Sequence, residues 1–154
     1  MTALRSMIDN AGYGRDDFTK SDGCTNAFIG RLYYVLSKVE FIQSFDTRAS
    51  ILDIVSTLIT NHPGGGLPGT VEEIVGPLPS LWSASADQNL LRTSILTMLT
   101  EIVIAVGTTE ASLSVQSQVL PLVQYATNKS QPESIYLADE GLTLCACLFV
   151  VCCL

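Results

Sequence analysis

Apolar residues return along this chain with a helical step, and one run of them occurs twice. Between Arg48 and Ile59 the apolar positions are Ile51, Leu52, Ile54, Val55, Leu58 and Ile59. Between Arg92 and Val103 they are Ile95, Leu96, Met98, Leu99, Ile102 and Val103, each 44 positions after its counterpart. Residues at i, i+1, i+3, i+4, i+7 and i+8 form one broad face of an α-helix. The strict alternation that marks a half-buried strand is absent from both runs.

A second helical pattern precedes each run. "AFIGRLYYVLSKVEFIQ" places Leu32, Val35, Leu36 and Val39 in register, and "TVEEIVGPLPSLW" does the same with Ile74, Val75, Leu78, Leu81 and Trp82. An offset of 42 carries Leu36 to Leu78 and Val39 to Leu81, and a second step reaches Leu120 and Val123 in "SVQSQVLPLVQYATN". The same step carries Pro79 to Pro121. Proline inside a helix removes a backbone hydrogen bond and bends the axis, so the pair predicts a shared bend in a repeated helix. A last helix, predicted from about Ser134 onward, completes a third pair and is apolar from Leu142 almost to its end.

The connections fit this division. Asp46 and Asp87 stand where an N-cap or first-turn acid belongs. "NHPGGGLPG", from Asn61 to Gly69, is a helix stop and a bridge between pairs. Residues 1–26 read as a helix stub and a long polar loop. The predicted fold is therefore all-α: a superhelix of about three helical hairpins, over residues 27–61, 70–106 and 111–154. A period of roughly 42–47 residues belongs to HEAT or armadillo arrays, whereas tetratricopeptide units are shorter. A hairpin of this kind cannot bury its apolar face alone and does so by stacking on its neighbours. The competing reading is a six-helix bundle with chance likenesses, and six matched positions at one offset weigh against it.

Composition adds a bias towards partners. The chain has 154 residues, enough for one domain with a substantial core. Apolar residues make up 47% and charged ones 15%, so apolar surface is left over for something else to cover. The net charge of −7 argues against nucleic acid, and favours basic protein partners over anionic membranes.

"LPSLWSASADQNLLRTSILTMLTEIV", followed by "LPLVQYATNKSQPESIYLADEGLTL", resembles the nuclear transport receptors of the importin-beta (karyopherin-beta) family. "LYYVLSKVEFIQSFDTRASILDIVSTLI" resembles the hairpin before it, so the resemblance covers most of residues 27–144. It implies a superhelix of HEAT repeats in a receptor that shuttles between nucleus and cytoplasm. Such a receptor carries a cargo protein, passes nuclear pore proteins and releases its load under control of a Ran-type small GTPase. The repeats that form the family's principal Ran site have no match here. "LCACLFVVCCL" departs from the family pattern, and this apolar, uncapped end predicts a truncated product or partial gene model. The inner helices, over 47–60, 87–106 and 134–150, are expected to line the concave face. Arg48, Asp53, Arg92 and Glu101 on them are the candidate protein contacts; the two arginines are equivalent by the repeat offset and serve equally well as a ladder between repeats.

No residue pattern calls for catalysis, a cofactor or a metal. His62 stands beside Pro63 at a helix end with no nucleophile or carboxylate indicated next to it. Cys145, Cys147, Cys152 and Cys153 lie in one apolar helix without the looped pairs of a zinc site, and read as buried thiols, with lipidation as the alternative. The uninterrupted apolar run from Leu142 to Leu154 is 13 residues, short of the roughly 20 that cross a bilayer, so a membrane is the disfavoured partner. The pairs Asp16–Asp17, Glu72–Glu73 and Asp139–Glu140 diverge around a helix and read as solvated surface. Gly64–Gly66 lacks the Lys-Ser/Thr ending of a phosphate loop, and Trp82 falls on an apolar face, as core. Two other functions fit the same residues: a HEAT adaptor unrelated to transport, and a small membrane-associated helical protein.

Overall fold

The computed structural model describes residues 22–37, 44–61, 71–107 and 111–153. Of the stub and loop expected over 1–26, residues 1–21 lie outside them, as does the bridge with His62 and Gly64–Gly66; residues 22–26 are helical rather than loop. The helices are α1 (Asp22–Ser37), α2 (Phe45–Thr60), α3 (Val71–Val75), α4 (Leu78–Ala84), α5 (Asn89–Val106), α6 (Ala111–Thr127) and α7 (Ser134–Cys153). There is no strand among the described residues.

The repeated helices stack in sequence order. α2 packs along α5, and α5 along α7. The helices that precede them form a second layer in the same order, α1 against α3 and α3 against α6. Each inner helix also meets an outer one of its own hairpin, most extensively α6 with α7. This is an all-α repeat solenoid. Its core lies between the layers, and all twelve apolar residues of the duplicated run are buried in it. The segments that begin at Arg48 and Arg92 are thus neighbours in equivalent places.

The prolines do not produce a shared bend. In the second hairpin the outer helix breaks, with Gly76 and Pro77 separating α3 from α4 and Pro79 in the first turn of α4. Proline suits that position because a first-turn N–H has no partner inside the helix. In the third hairpin Pro121 sits inside the unbroken α6. One proline can be absorbed by a helix packed on both sides, whereas the Gly-Pro-Leu-Pro run removes too many donors.

The break exposes a carbonyl that Tyr33 recovers. Its hydroxyl donates to the Ile74 carbonyl at 2.7 Å and lies 3.9 Å from the Met98 sulfur. One buried phenol thereby joins α1, α3 and α5, and burial pushes its pKa well above the usual tyrosine range. The expected caps shift slightly. Ser44 and Gln88 are the N-cap residues, which leaves Asp46 in the first turn of α2 and Asp87 just outside α5. α5 ends on Gly107 at a φ of 60°, a conformation L residues rarely adopt.

Gly141 sets the approach of α7 to α6. A Cβ there would lie 2.9 Å from the Ala126 Cβ and 3.2 Å from the Thr127 methyl. Around it Leu137, Leu144 and Leu148 form the buried stripe of α7.

Candidate interaction face

The four candidate residues separate into two pairs by burial. Arg48 and Arg92 occupy the same place in their helices: the N–H of Arg48 donates to the Ser44 carbonyl, and that of Arg92 to the Gln88 carbonyl. Both side chains are buried, with 3% and 5% of their surface exposed. They are therefore not contacts on an open face, which corrects the expectation. The physical reason is that the wide apolar face extends back over the first turn, so a side chain there points into the layer interface.

Arg92 forms a clamp between repeats. Its guanidinium lies 4.9 Å from the Trp82 ring centroid and 5.0 Å from that of Tyr125. The two rings meet edge to face at 5.8 Å. Nη1 donates to the Tyr125 hydroxyl at 3.1 Å, and that hydroxyl donates to a Glu133 carboxylate oxygen at 3.3 Å. A cation between aromatic faces is held by their quadrupoles, and desolvation strengthens the attraction. Trp82 belongs to α4 and Tyr125 to α6, so the clamp ties the outer helices of adjacent hairpins through an inner one. Ser85 fixes the Trp82 end, its hydroxyl donating to the Trp82 carbonyl at 2.8 Å. The aromatic partners were missed, because Trp82 reads as simple core and Tyr125 falls between apolar positions.

Asp53 and Glu101 are half-buried and line two grooves along the inner layer. A groove of about 100 Å³ runs between α2 and α5, bounded by Asp53, Ser56, Thr93, Ser94 and Thr97. A larger one, about 230 Å³, lies between α5 and α7 and is bounded by Thr97, Thr100, Glu101, Asp139, Glu140 and Thr143. Glu101 accepts from the Thr60 hydroxyl at 3.3 Å across the first seam. The hydroxyls of Ser94, Thr97, Thr100 and Thr143 each donate to the carbonyl four residues back. Such bonds occupy the hydroxyl proton and leave oxygen lone pairs outward. The two grooves thus offer acceptors and negative charge, with both inner-layer arginines withdrawn beneath. Among the described residues no group of three or more His, Cys, Asp or Glu is placed to hold a metal ion.

α7 departs from the expected buried thiols. Cys145 is exposed and Cys147 half-buried; both are free thiols. Ser134–Val151 is also long and apolar enough to cross a membrane by length and composition, as is α5. The count from Leu142 alone missed this, because Asp139 and Glu140 interrupt the run without ending the helix. α5 is a core helix, and the buried stripe of α7 is committed to its neighbours within the protein.

The family model described as "Importin-11-like, TPR repeats" matches residues 93–148, which covers most of α5, all of α6 and most of α7. Importin-11 of Mus musculus and of Homo sapiens are each 28% identical to this chain over 144 residues. That alignment covers 93% of the chain and 14% of either importin. The chain is similar to a stretch of these importins. The importin beta-like protein kap113 of Schizosaccharomyces pombe is 23% identical over 142 residues, which is 92% of the chain and 14% of kap113. The importin-like chain thus spans about a seventh of the length of these relatives. No solved structure matches it. The family model names its repeats as tetratricopeptide units where the spacing here reads as HEAT; what both share is stacked helical hairpins, and that is what the importin-like chain forms.

Proposed function

We propose that the chain is a working part of an importin-beta-type receptor that carries protein cargo between cytoplasm and nucleus. Its role is binding, on the inner layer of α2, α5 and α7. The observation that supports this most directly is the pair of carboxylate- and hydroxyl-lined grooves between the inner helices. In this reading Asp53 and Glu101 meet basic side chains of the cargo, while Arg48 and Arg92 hold the layer in register. Ran-type GTPase control and passage along nuclear pore proteins belong to the receptor as a whole.

A basic cargo segment binds by charge in a partly desolvated groove, so salt weakens it. The test is capture of nuclear proteins by the receptor that contains these repeats, with Asp53→Asn and Glu101→Gln introduced together. Cargo capture should fall several-fold and lose part of its salt dependence, and it should respond to whether Ran carries GTP or GDP. Capture indifferent to both the carboxylates and the nucleotide would point to a repeat scaffold outside transport.

A further inference from the structure

Two large apolar side chains stand open on α5, the most enclosed helix of the inner layer. Leu90 is 54% exposed and Ile104 57%. They lie fourteen residues apart, with the exposed Thr97 midway between them. Residues seven apart return to nearly the same line along a helix, so the three form a row about 21 Å long. α5 carries α2 on one flank and α7 on the other, so this row is inner surface and is not left open for want of a neighbour. Thr97 borders both grooves, which places the row between them. Asp53 stands on the α2 side. Glu101 and Asp139 stand on the α7 side. The inner face of α5 is thus a belt of carboxylates with an apolar post at either end.

We infer that Leu90 and Ile104 are anchor contacts, and that the partner they fit is an amphipathic helix laid along α5. Its apolar residues lie two heptads apart, and basic residues flank the stretch between them on both sides. A helix rises at the same rate as α5, so residues two heptads apart meet both posts. Its flanking positions point to either side, one set towards Asp53 and the other towards Glu101 and Asp139. An extended strand turns alternate side chains away from the surface and presents a single row, which does not reach both grooves. Opposite charge on both flanks fixes the lateral position of the helix, and the two posts fix its register along α5. The inference rests on the binding role proposed above, and adds that charge alone does not select the partner.

The test is fluorescence anisotropy of labelled synthetic peptides with the full chain, with circular dichroism to establish that each variant is folded. The probe is an alanine-based helical peptide with two leucines two heptads apart and lysines on both flanks between them. One control replaces both leucines by serine; the other places a proline midway to break the helix. The native chain should bind the probe, and each control about tenfold more weakly. Leu90→Asn and Ile104→Asn should each weaken the probe by a similar factor, because each removes one half-exposed apolar contact. If all three peptides bind alike and weaken together with Asp53→Asn and Glu101→Gln, the anchors are overturned and the binding role stands. If binding ignores those carboxylates, both fall. A native chain that binds none of the peptides also overturns the inference, and cargo capture by the receptor with the two carboxylates changed then decides the binding role separately.

Discussion

α5 and α7 are sister helices with opposite fates. Both belong to the inner layer and both are long and apolar enough to pass for membrane spans. Half of α5 is buried inside the molecule, against 22% of the corresponding stretch of α7. The difference is one of position in the stack. α5 has a helix on either flank, whereas α7 has a neighbour on one flank within the described residues. Equal hydrophobicity therefore gives unequal contributions to stability, because only area removed from water counts.

The largest expected effect tests that contrast directly. Leu96→Ala in α5 removes a side chain with no exposed surface and should cost about 2–5 kcal/mol. Val150→Ala in α7 removes one that is 56% exposed and should stay within about 0.5 kcal/mol. Denaturant unfolding followed by circular dichroism measures both, and similar losses would erase the distinction. Next is Gly141→Ala, where the new methyl meets the Ala126 Cβ. Neither backbone can yield without parting α6 from α7, so about 1–3 kcal/mol should be lost. The matching change on the open side of α7, Ala146→Gly, should lose no more than the helix propensity difference of about 1 kcal/mol.

Arg92→Lys is a finer probe of the clamp. It keeps the charge but not the planar fork between Trp82 and Tyr125, and should cost about 1–2 kcal/mol with altered tryptophan fluorescence. Tyr33→Phe leaves the Ile74 carbonyl without its partner and should cost about 1–3 kcal/mol. It also has a pH signature. The folded state holds this phenol protonated to higher pH than the unfolded state does. The contribution is complete below the ordinary tyrosine pKa and is lost as pH rises above it. The native chain should therefore lose stability in strong base faster than Tyr33→Phe does, as paired unfolding curves will show.

Much of this fold was legible in the residues. The duplicated run at an offset of 44 carried the stacking of α2 on α5, since a helix face that wide must be covered along its length. Trp82 as core followed from its place on the apolar side of its helix. The candidate face was only partly legible. Period and offset assign a residue to a face, but the edge of a buried face is set by how closely the neighbour approaches. Arg48 and Arg92 lie on that edge and went inward; Asp53 and Glu101, about one and two turns further along, stayed beside the grooves. Cys145 went the other way, exposed where a run of apolar neighbours suggested burial.

By itself, then, the sequence determined the helices, their pairing and their repeat, because periodicity is a local property written in every turn. It also carried the resemblance to importins, which rests on long runs of similar residues. Only the tertiary structure decided that Arg92 is clasped by two rings from two other helices, that Tyr33 seals a broken helix, and that one stripe of α7 is covered while the other is open. Those outcomes depend on distances between elements far apart in the chain, and no pattern within a single helix encodes them.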